Sequence, residues 1–321
     1  QLPPIVKESR SQDVLGAVPR AVLAGILVAT GIGTVMHAPG LGGVFGFAYF
    51  GLAAYALALT SPKYEAASVW VTLPVAMAAA GAAALLIGSL VVRTAGVYFI
   101  MATLAFAQML YSVFHDTQLG GGSDGIYITV RPELSIAGLK PLDLESPVQF
   151  YYFVLALLIG VYRLLSQVLH APFGRALAGI KVNEDRMRTI GFPAFGYKLG
   201  AFVLAGALAG LAGYLAACQF GFVNPEILAW HHSGTVLMMV ILGGMGKLHG
   251  AVLGAVTYVL LQELLSTPVL LGGYAKHWQL AMGSLIVLIV LLLPEGLAGL
   301  FDRHSRFSRR GDLRFPSEDL E

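Results

Sequence analysis

Residues 171–213 read APFGRALAGIKVNEDRMRTIGFPAFGYKLGAFVLAGALAGLAG and join two opposite kinds of sequence. Residues 171–200 carry seven charged side chains, whereas residues 199–225 contain no Lys, Arg, Asp or Glu. A helix needs about 20 apolar residues to cross a bilayer, and the second run is that long. The stretch therefore predicts a membrane helix preceded by a compact charged segment.

The composition extends this prediction to the whole chain. Of 321 residues, 57% are hydrophobic and 12% are charged, whereas a soluble domain is usually about a quarter charged. Further charge-free windows cover residues 21–62, 66–92 and 94–115. Their continuous hydrophobicity excludes a β-barrel, whose strands alternate polar and apolar side chains. The sequence therefore predicts an all-α, polytopic helical membrane protein.

Apolar windows and the breaks between them predict about 8–9 membrane helices, with a short cytoplasmic helix in addition. The expected helices cover residues 16–36, 43–60, 69–93, 96–114, 148–166, 197–216, 233–247, 249–265 and 278–295. We expect a polar N-terminal segment over residues 1–15, a transmembrane domain over 16–296 and a polar tail over 297–321. Gly and Ala recur within the helices, which favours close packing of their backbones.

Basic residues predict which loops face the cytoplasm, because Lys and Arg concentrate on that side. Residues 171–200 carry five basic side chains and the tail carries five Arg, whereas residues 115–147 hold five acids and two bases. We therefore place the loop 171–196 and the tail inside and the loop 115–147 outside. The N-terminal helices leave two alternatives: either residues 43–60 are discontinuous or re-entrant, or the charges before them do not set the topology.

The charged stretch contains the start and stop signals of a complete short helix. Asn183 is a good N-cap residue, Gly191 can take the left-handed conformation that ends a helix, and Pro193 bars continuation. Acidic residues precede basic ones between these limits, as the helix dipole favours. Glu184 and Arg188 also form an i, i+4 pair.

This short helix has two interpretations. A rod of about 11 Å is too short to span a bilayer, and we expect Met187 and Ile190 to share one face as an apolar ridge among charges. The rod suits insertion into a cleft on a separate, water-soluble protein. Alternatively, it is a solvated interfacial helix that its own caps stabilise.

Several stretches resemble the permease subunits of branched-chain amino acid (LIV-type) ABC importers. Besides the stretch quoted first, these are GVYFIMATLAFAQMLYSVFHDTQLGGGSDGI at residues 96–126, FGFVNPEILAWHHSGTVLMMVILGGMGKLHGAVLGA at 220–255 and LPEGLAGLFDR at 293–303. They follow the family's order and cover most of residues 95–302. The resemblance weakens toward the N-terminus, where GTVMHAPGLGGVFGFAYFG lacks the family's Gly-His-Ala run.

The resemblance implies that the short charged helix is the coupling helix, which sits in a groove of an ATPase subunit. Carried over residue by residue, the coupling role falls on Asn183, Glu184, Asp185, Arg186, Arg188 and Gly191. The implied partners are a second, related permease in a heterodimer, two ABC ATPase subunits, an extracytoplasmic substrate-binding protein and the lipid bilayer, with no nucleic acid. No cofactor is expected to bind directly, since ATP-Mg belongs to the ATPase subunits. The implied location is a bacterial cytoplasmic (inner) membrane.

Two further groups of residues are candidate sites. The outer loop QLGGGSDGI offers flexible backbone and hydrogen-bond acceptors, and either forms a gate or docking mouth or is a Gly-rich turn. Its candidate residues are Gly120, Gly121, Gly122, Ser123 and Asp124. Within the helix expected at 96–114, the pathway candidates are Tyr98, Thr103 and Gln108. An unpaired amide in lipid costs several kcal/mol, so Gln108 must face protein or a wet path.

Enzyme and nucleotide-binding functions find no support in the motifs. GGMGKLHG matches neither the P-loop nor the dinucleotide pattern, because Ile241, Leu248 and His249 stand at required positions. His231 and His232 lack a second cluster of ligands, so no metal site is expected. The sequence leaves open an importer of the same family for urea or small organic acids. An ATP-independent secondary transporter is disfavoured, because ionisable residues stay near helix ends.

Overall fold

The computed structural model describes residues 46–62, 67–136, 139–142, 146–244, 248–267, 277–293 and 296–299. Within that part, the longer elements are helices α1 Gly46–Thr60, α2 Val69–Val91, α3 Val97–Asp116, α4 Pro147–His170, α5 Pro172–Val182, α6 Glu184–Thr189, α7 Ala194–Phe220, α8 Trp230–Gly243, α9 Leu248–Ser266 and α10 Trp278–Leu292. The helix expected at 16–36, the segment 1–15 and residues 300–321 lie outside the described residues.

The described helices confirm an all-α, polytopic membrane protein. Six segments in the described part are long and apolar enough to cross a membrane, namely α2, α3, α4, α7, α9 and the segment that contains α10. Helices α1 and α8 have 15 and 14 residues, which is short of the roughly 20 residues of a full span.

Several helix boundaries differ from those expected. Helix α4 continues to His170, four residues beyond the expected end, and α7 extends over Ala194–Phe220 instead of 197–216. Helix α8 begins at Trp230 and ends at Gly243, about one turn earlier than expected. Helix α5 was not expected at all: Pro172 occupies its first turn, where its missing N–H costs nothing.

Helix α7 is the centre of the fold. In its most apolar window 72% of the residues are buried, against 33% or less in the other five candidate spans. Small residues permit this: a Cβ on Gly206 would lie 2.5 Å from the Ala84 Cβ of α2, and one on Gly210 would lie 2.6 Å from the Ala80 Cβ. The absence of a Cβ at these two glycines lets the backbones of α2 and α7 pack in close contact.

A buried hydrogen bond also joins these two helices. The hydroxyl groups of Thr72 and Tyr214 lie 2.8 Å apart, and the Thr72 hydroxyl also donates to the Ser68 carbonyl at 3.0 Å. Both side chains are almost fully buried. Since a buried polar group without a partner is costly, this pairing stabilises the register of α2 on α7.

Short strands gather at one end of the bundle. Strand β1 Ile126–Tyr127 pairs antiparallel with β4 Phe222–Val223, and β2 Leu134–Ile136 pairs with β3 Leu139–Leu142. A single bridge from Ser68 to Glu133 brings the start of α2 to the same end. We call residues 117–136 and 139–142 together with 221–229 the strand end.

The opposite end of the bundle carries the charged stretch that includes α6. Helix α4 leads from the strand end to α5 and α6, and α7 returns from α6 to β4. The turn 92–96 between α2 and α3 lies at this second end, since it shares a groove with α6. We call the turn 92–96, α5, α6 and the first turns of α7 the charged end.

Candidate functional site at the charged end

Helix α6 has the caps that its sequence predicts. Asn183 is in an extended conformation, and its side-chain oxygen Oδ1 accepts a hydrogen bond of 2.9 Å from the Arg186 backbone N–H. After the last turn, Gly191 has φ +98°, a left-handed conformation that favours glycine. The predicted start and end of the short helix are thus confirmed.

The predicted ion pair within α6 is confirmed, and it has a third member. Arg188 Nη2 lies 2.7 Å from Glu184 Oε1, and the Lys198 ammonium of α7 binds the other carboxylate oxygen, Oε2. Partial burial alone would raise the pKa of the Glu184 carboxyl, but the hydrogen bonds and charges of Lys198 and Arg188 outweigh it, so the pKa is lowered. Lys198 therefore ties α6 to α7.

Helix α5 packs against α6. The space where Gly179 would carry a Cβ is filled by Met187, whose Sδ lies 2.8 Å from that position. Met187 is half-buried there, whereas Ile190 is 64% exposed. Of the two residues of the expected ridge, Met187 thus packs within the subunit and Ile190 is exposed.

A groove separates α6 from the turn between α2 and α3. Its volume is about 530 Å³, and its walls include Arg93, Thr94, Glu184, Asp185, Phe195 and Lys198. The Arg93 guanidinium lies 5.3 Å from the centre of the Phe195 ring, at cation–π distance. Side chains from three separate parts of the sequence thus meet at this groove.

The predicted outer-loop residues lie at the strand end and form two 3₁₀ turns, Gln118–Gly120 and Gly122–Asp124. Gly121 has φ +75° and Gly122 has φ +63°. Gly120 is buried against the rings of Phe114 and Tyr55, each 2.9 Å from where its Cβ would lie. Ser123 donates to Asp124 at 3.3 Å, and both side chains are exposed.

Backbone hydrogen bonds hold this loop against the end of α7. Besides the β1–β4 pair, Ile128 N–H donates to the Gly221 carbonyl at 2.9 Å. The Arg131 guanidinium donates to the Gln219 carbonyl at 3.2 Å. The loop is therefore built into the fold and is not a free tether.

The pathway candidates on α3 separate into two groups. Tyr98 is 77% exposed and Gln108 is also exposed on this chain, whereas Thr103 is fully buried. The Thr103 hydroxyl donates to the Ile100 carbonyl of its own helix at 2.5 Å. Thr103 therefore faces the packed interior of the subunit, and the exposed face of α3 carries the other two.

Clusters of potential metal ligands are absent from the described residues. No group of three or more His, Cys, Asp or Glu side chains is placed to hold a metal ion in that part of the chain. The centres of the adjacent His231 and His232 rings lie 4.5 Å apart, with the ring planes tilted by 37°, beside Trp230 at the start of α8. The arrangement that the fold assembles is instead a charged, capped helix on an apolar bundle.

Comparison with known proteins identifies the class. The chain belongs to the family of permease components of branched-chain amino acid transport systems, whose family model matches residues 16–293. It is a multi-pass membrane protein with a transport role and not an enzyme.

Individual relatives agree with this family. The high-affinity branched-chain amino acid transport system permease protein LivM of Escherichia coli (strain K12) is 32% identical over an alignment of 306 residues that covers 88% of this chain and 70% of LivM. A probable branched-chain amino acid transport permease protein, LivH of Methanocaldococcus jannaschii, is 28% identical over 66% of this chain and 67% of its own length. The autoinducer 2 import system permease protein LsrC of Klebsiella pneumoniae is 31% identical over 54% of this chain and 48% of LsrC. No solved structure matches the chain.

Proposed function

We propose that this chain is the transmembrane permease subunit of an ATP-driven importer in a bacterial cytoplasmic membrane. Helix α6 carries the proposal, because it is capped, tied to the central helix α7 by Glu184 and Lys198, and exposed to solvent on its other side. The transmembrane domain is proposed to cover residues 16–296, with a polar segment 1–15 before it and a cytoplasmic tail 297–321 after it.

The residues of α6 divide between two tasks in this proposal. Asn183, Glu184 and Gly191 form and anchor the helix through the cap, the ion pairs and the terminal turn. The side chains of Asp185 and Arg186 are exposed, so they are the ones proposed to contact an ATPase subunit. Arg188 is 60% exposed while paired with Glu184, and it serves both tasks.

The exposed face of α3 is proposed to meet the translocation pathway. Tyr98 and Gln108 lie on a helix long enough to span the membrane. An amide facing lipid would lose its hydrogen bonds, at a cost of several kcal/mol. A partner subunit or a water-filled path between two subunits removes that cost, and the partner is proposed to be a second, related permease in a heterodimer.

The strand end is proposed to receive substrate from an extracytoplasmic binding protein. Its exposed Ser123 and Asp124 lie on a loop that backbone hydrogen bonds hold in place. This chain is proposed to bind no cofactor itself, and ATP-Mg is hydrolysed in two partner ATPase subunits.

The proposed substrates are branched-chain or other hydrophobic amino acids. Relatives whose names state branched-chain amino acid transport match 88% and 66% of this chain. The LsrC relative, named for autoinducer 2 import, matches 54%. The amino-acid assignment therefore rests on the matches with the greater coverage.

Co-purification and uptake test this function. The tagged complex, isolated in mild detergent, is expected to carry ATPase subunits, and proteoliposomes are expected to accumulate leucine with ATP. Glu184→Ala combined with Arg188→Ala should abolish uptake while the binding protein still delivers substrate, because α6 loses its ion pairs. Arg163→Ala, an exposed arginine on α4, is the matched control. Wild-type uptake and stimulated ATP hydrolysis in the double variant would show that α6 does not couple.

A further inference from the structure

The turn between α2 and α3 contacts the start of α7 across the groove. Arg93 follows directly after the end of α2, and its guanidinium lies 5.3 Å from the centre of the Phe195 ring, which belongs to the first turn of α7. Phe195 is 37% exposed and Arg93 is exposed. The contact therefore bridges the turn and α7 at the surface and is not part of the packed core.

Phe195 stands close in sequence to the anchor of α6. Lys198, three residues later on α7, binds Glu184 of α6, and both residues line the groove together with Arg93. A displacement of α6 that acts through Lys198 therefore acts on the same helical turn that carries Phe195. The groove thus has α6 on one wall and the turn that precedes α3 on the other.

The conformation of Gly96 sets the direction of α3. Gly96 has φ +61° and ψ −132°, a combination that other residues rarely adopt, and a Cβ there would meet nothing within 4 Å. A glycine is therefore required at position 96 by the backbone conformation and not by packing. Only 22% of the most apolar window of α3 is buried, so few contacts oppose a change in its orientation.

We infer that the Arg93–Phe195 contact is a positioning contact that transmits movement of α6 to α3, with Gly96 as the pivot. Movement of α3 changes what Tyr98 and Gln108 face. This inference rests on the proposed function, because it requires an ATPase subunit to move α6. Arg93 and Phe195 act through α3 and need not touch substrate.

A spin label on the exposed face of α3 tests the inference directly. Met109 is 60% exposed on α3, so Met109→Cys, in a Cys218→Ala background, is labelled before assembly with the partner subunits. The complex is compared with and without ATP-Mg by electron paramagnetic resonance. Arg93→Ala, Phe195→Leu and the double variant remove the contact, whereas Arg93→Lys and Phe195→Tyr retain a cation and a ring. Arg163→Ala is again the charge control.

The inference predicts a specific pattern. Because an exposed cation–π contact changes an equilibrium constant by about two- to fivefold, each disrupting variant should reduce the ratio of shifted to unshifted label by about that factor. The double variant should be no worse than either single variant, and the conservative variants and the control should behave as wild type.

Two results would overturn the inference. One is an ATP-dependent shift that is unchanged by Arg93→Ala and Phe195→Leu; the other is the absence of any shift in the parent complex. Either result leaves the proposed function standing as long as ATPase subunits co-purify and leucine uptake requires ATP. Failure of co-purification instead contradicts the proposed function itself.

Discussion

The charged end and the strand end are held together by different kinds of contact. At the charged end, α6 is fixed by side chains: an Asn183 cap, Glu184 paired with Arg188 and Lys198, and Met187 against Gly179. At the strand end, the loop after α3 is fixed by backbone hydrogen bonds between β1 and β4 and by glycines with positive φ.

The difference indicates which end moves. Side-chain ion pairs at a partly exposed surface contribute little each and rearrange readily, whereas paired backbone N–H and C=O groups are costly to leave without a partner. We therefore expect the charged end to change its arrangement during transport and the strand end to stay fixed.

The largest effect is expected at the strand end, from Gly125→Ala. Gly125 has φ +72°, and an added Cβ would overlap the Val223 carbonyl oxygen of β4. We expect a loss of about 2–4 kcal/mol of stability, from the left-handed strain and the overlap together. The loss of stability is measured as a lower fraction of protein that stays monodisperse in size-exclusion chromatography after heating.

The control for this change is Gly160→Ala in the middle of α4. A Cβ at Gly160 would meet nothing within 4 Å, so the same substitution should be neutral or slightly stabilising, since Ala favours helix. Equal tolerance of the two changes would mean that the strand end is not rigid.

A smaller effect is expected from Lys198→Met, which removes the tie between α6 and α7. The side chain of Glu184 is 31% exposed and that of Lys198 is 18% exposed, so we expect a loss of about 1 kcal/mol in the local stability of α6. Hydrogen exchange of the amides 186–190 reports it. Unchanged protection of these amides would mean that the pair does not anchor α6.

A similar or smaller effect is expected from Asn183→Ala. The N–H of Arg186 loses its acceptor, and an N-cap typically contributes about 1 kcal/mol. Exchange of the Arg186 amide should rise while amides of α4 stay unchanged. Asn183→Asp keeps an acceptor and should restore protection; if it does not, the cap is not what orders the helix.

The smallest effect is a pH dependence of the Glu184 ion pairs. Because Lys198 and Arg188 lower the pKa of the folded carboxyl below its unfolded value, its contribution is present above the unfolded pKa. That contribution is lost as pH falls through the folded pKa. The difference in melting temperature between wild type and Glu184→Gln should therefore be constant near neutral pH and shrink in acid. A difference that grows in acid would contradict the sign of the shift.

Local signals in the sequence predicted the short helix well. Asn183, Gly191 and the Glu184–Arg188 pair each act within a few residues, so their geometry follows from helix rules alone. The apolar windows likewise predicted most helices, although the exact ends depend on tertiary packing. Helix α5 was missed because Gly174, Arg175 and Gly179 read as loop residues, while its buried face is visible only against neighbouring helices.

Long-range contacts could not be read from a single sequence. Arg93 and Phe195 are separated by about a hundred residues, and no periodicity relates them. The same holds for the β1–β4 pair, which joins two strands of two residues each. Met187 occupies the space that the missing Cβ of Gly179 leaves on α5, and the sequence of α6 alone does not predict this contact. These contacts are what turn a predicted helix into a candidate coupling site.

Cross-linking from the two ends of the subunit tests the assignment most directly. A photoreactive cross-linker attached through Asp185→Cys at the charged end, or through Ser123→Cys at the strand end, is activated in the assembled complex. Asp185→Cys is expected to cross-link to an ATPase subunit, and Ser123→Cys is not. Capture of the ATPase from Ser123→Cys, with none from Asp185→Cys, would contradict the account.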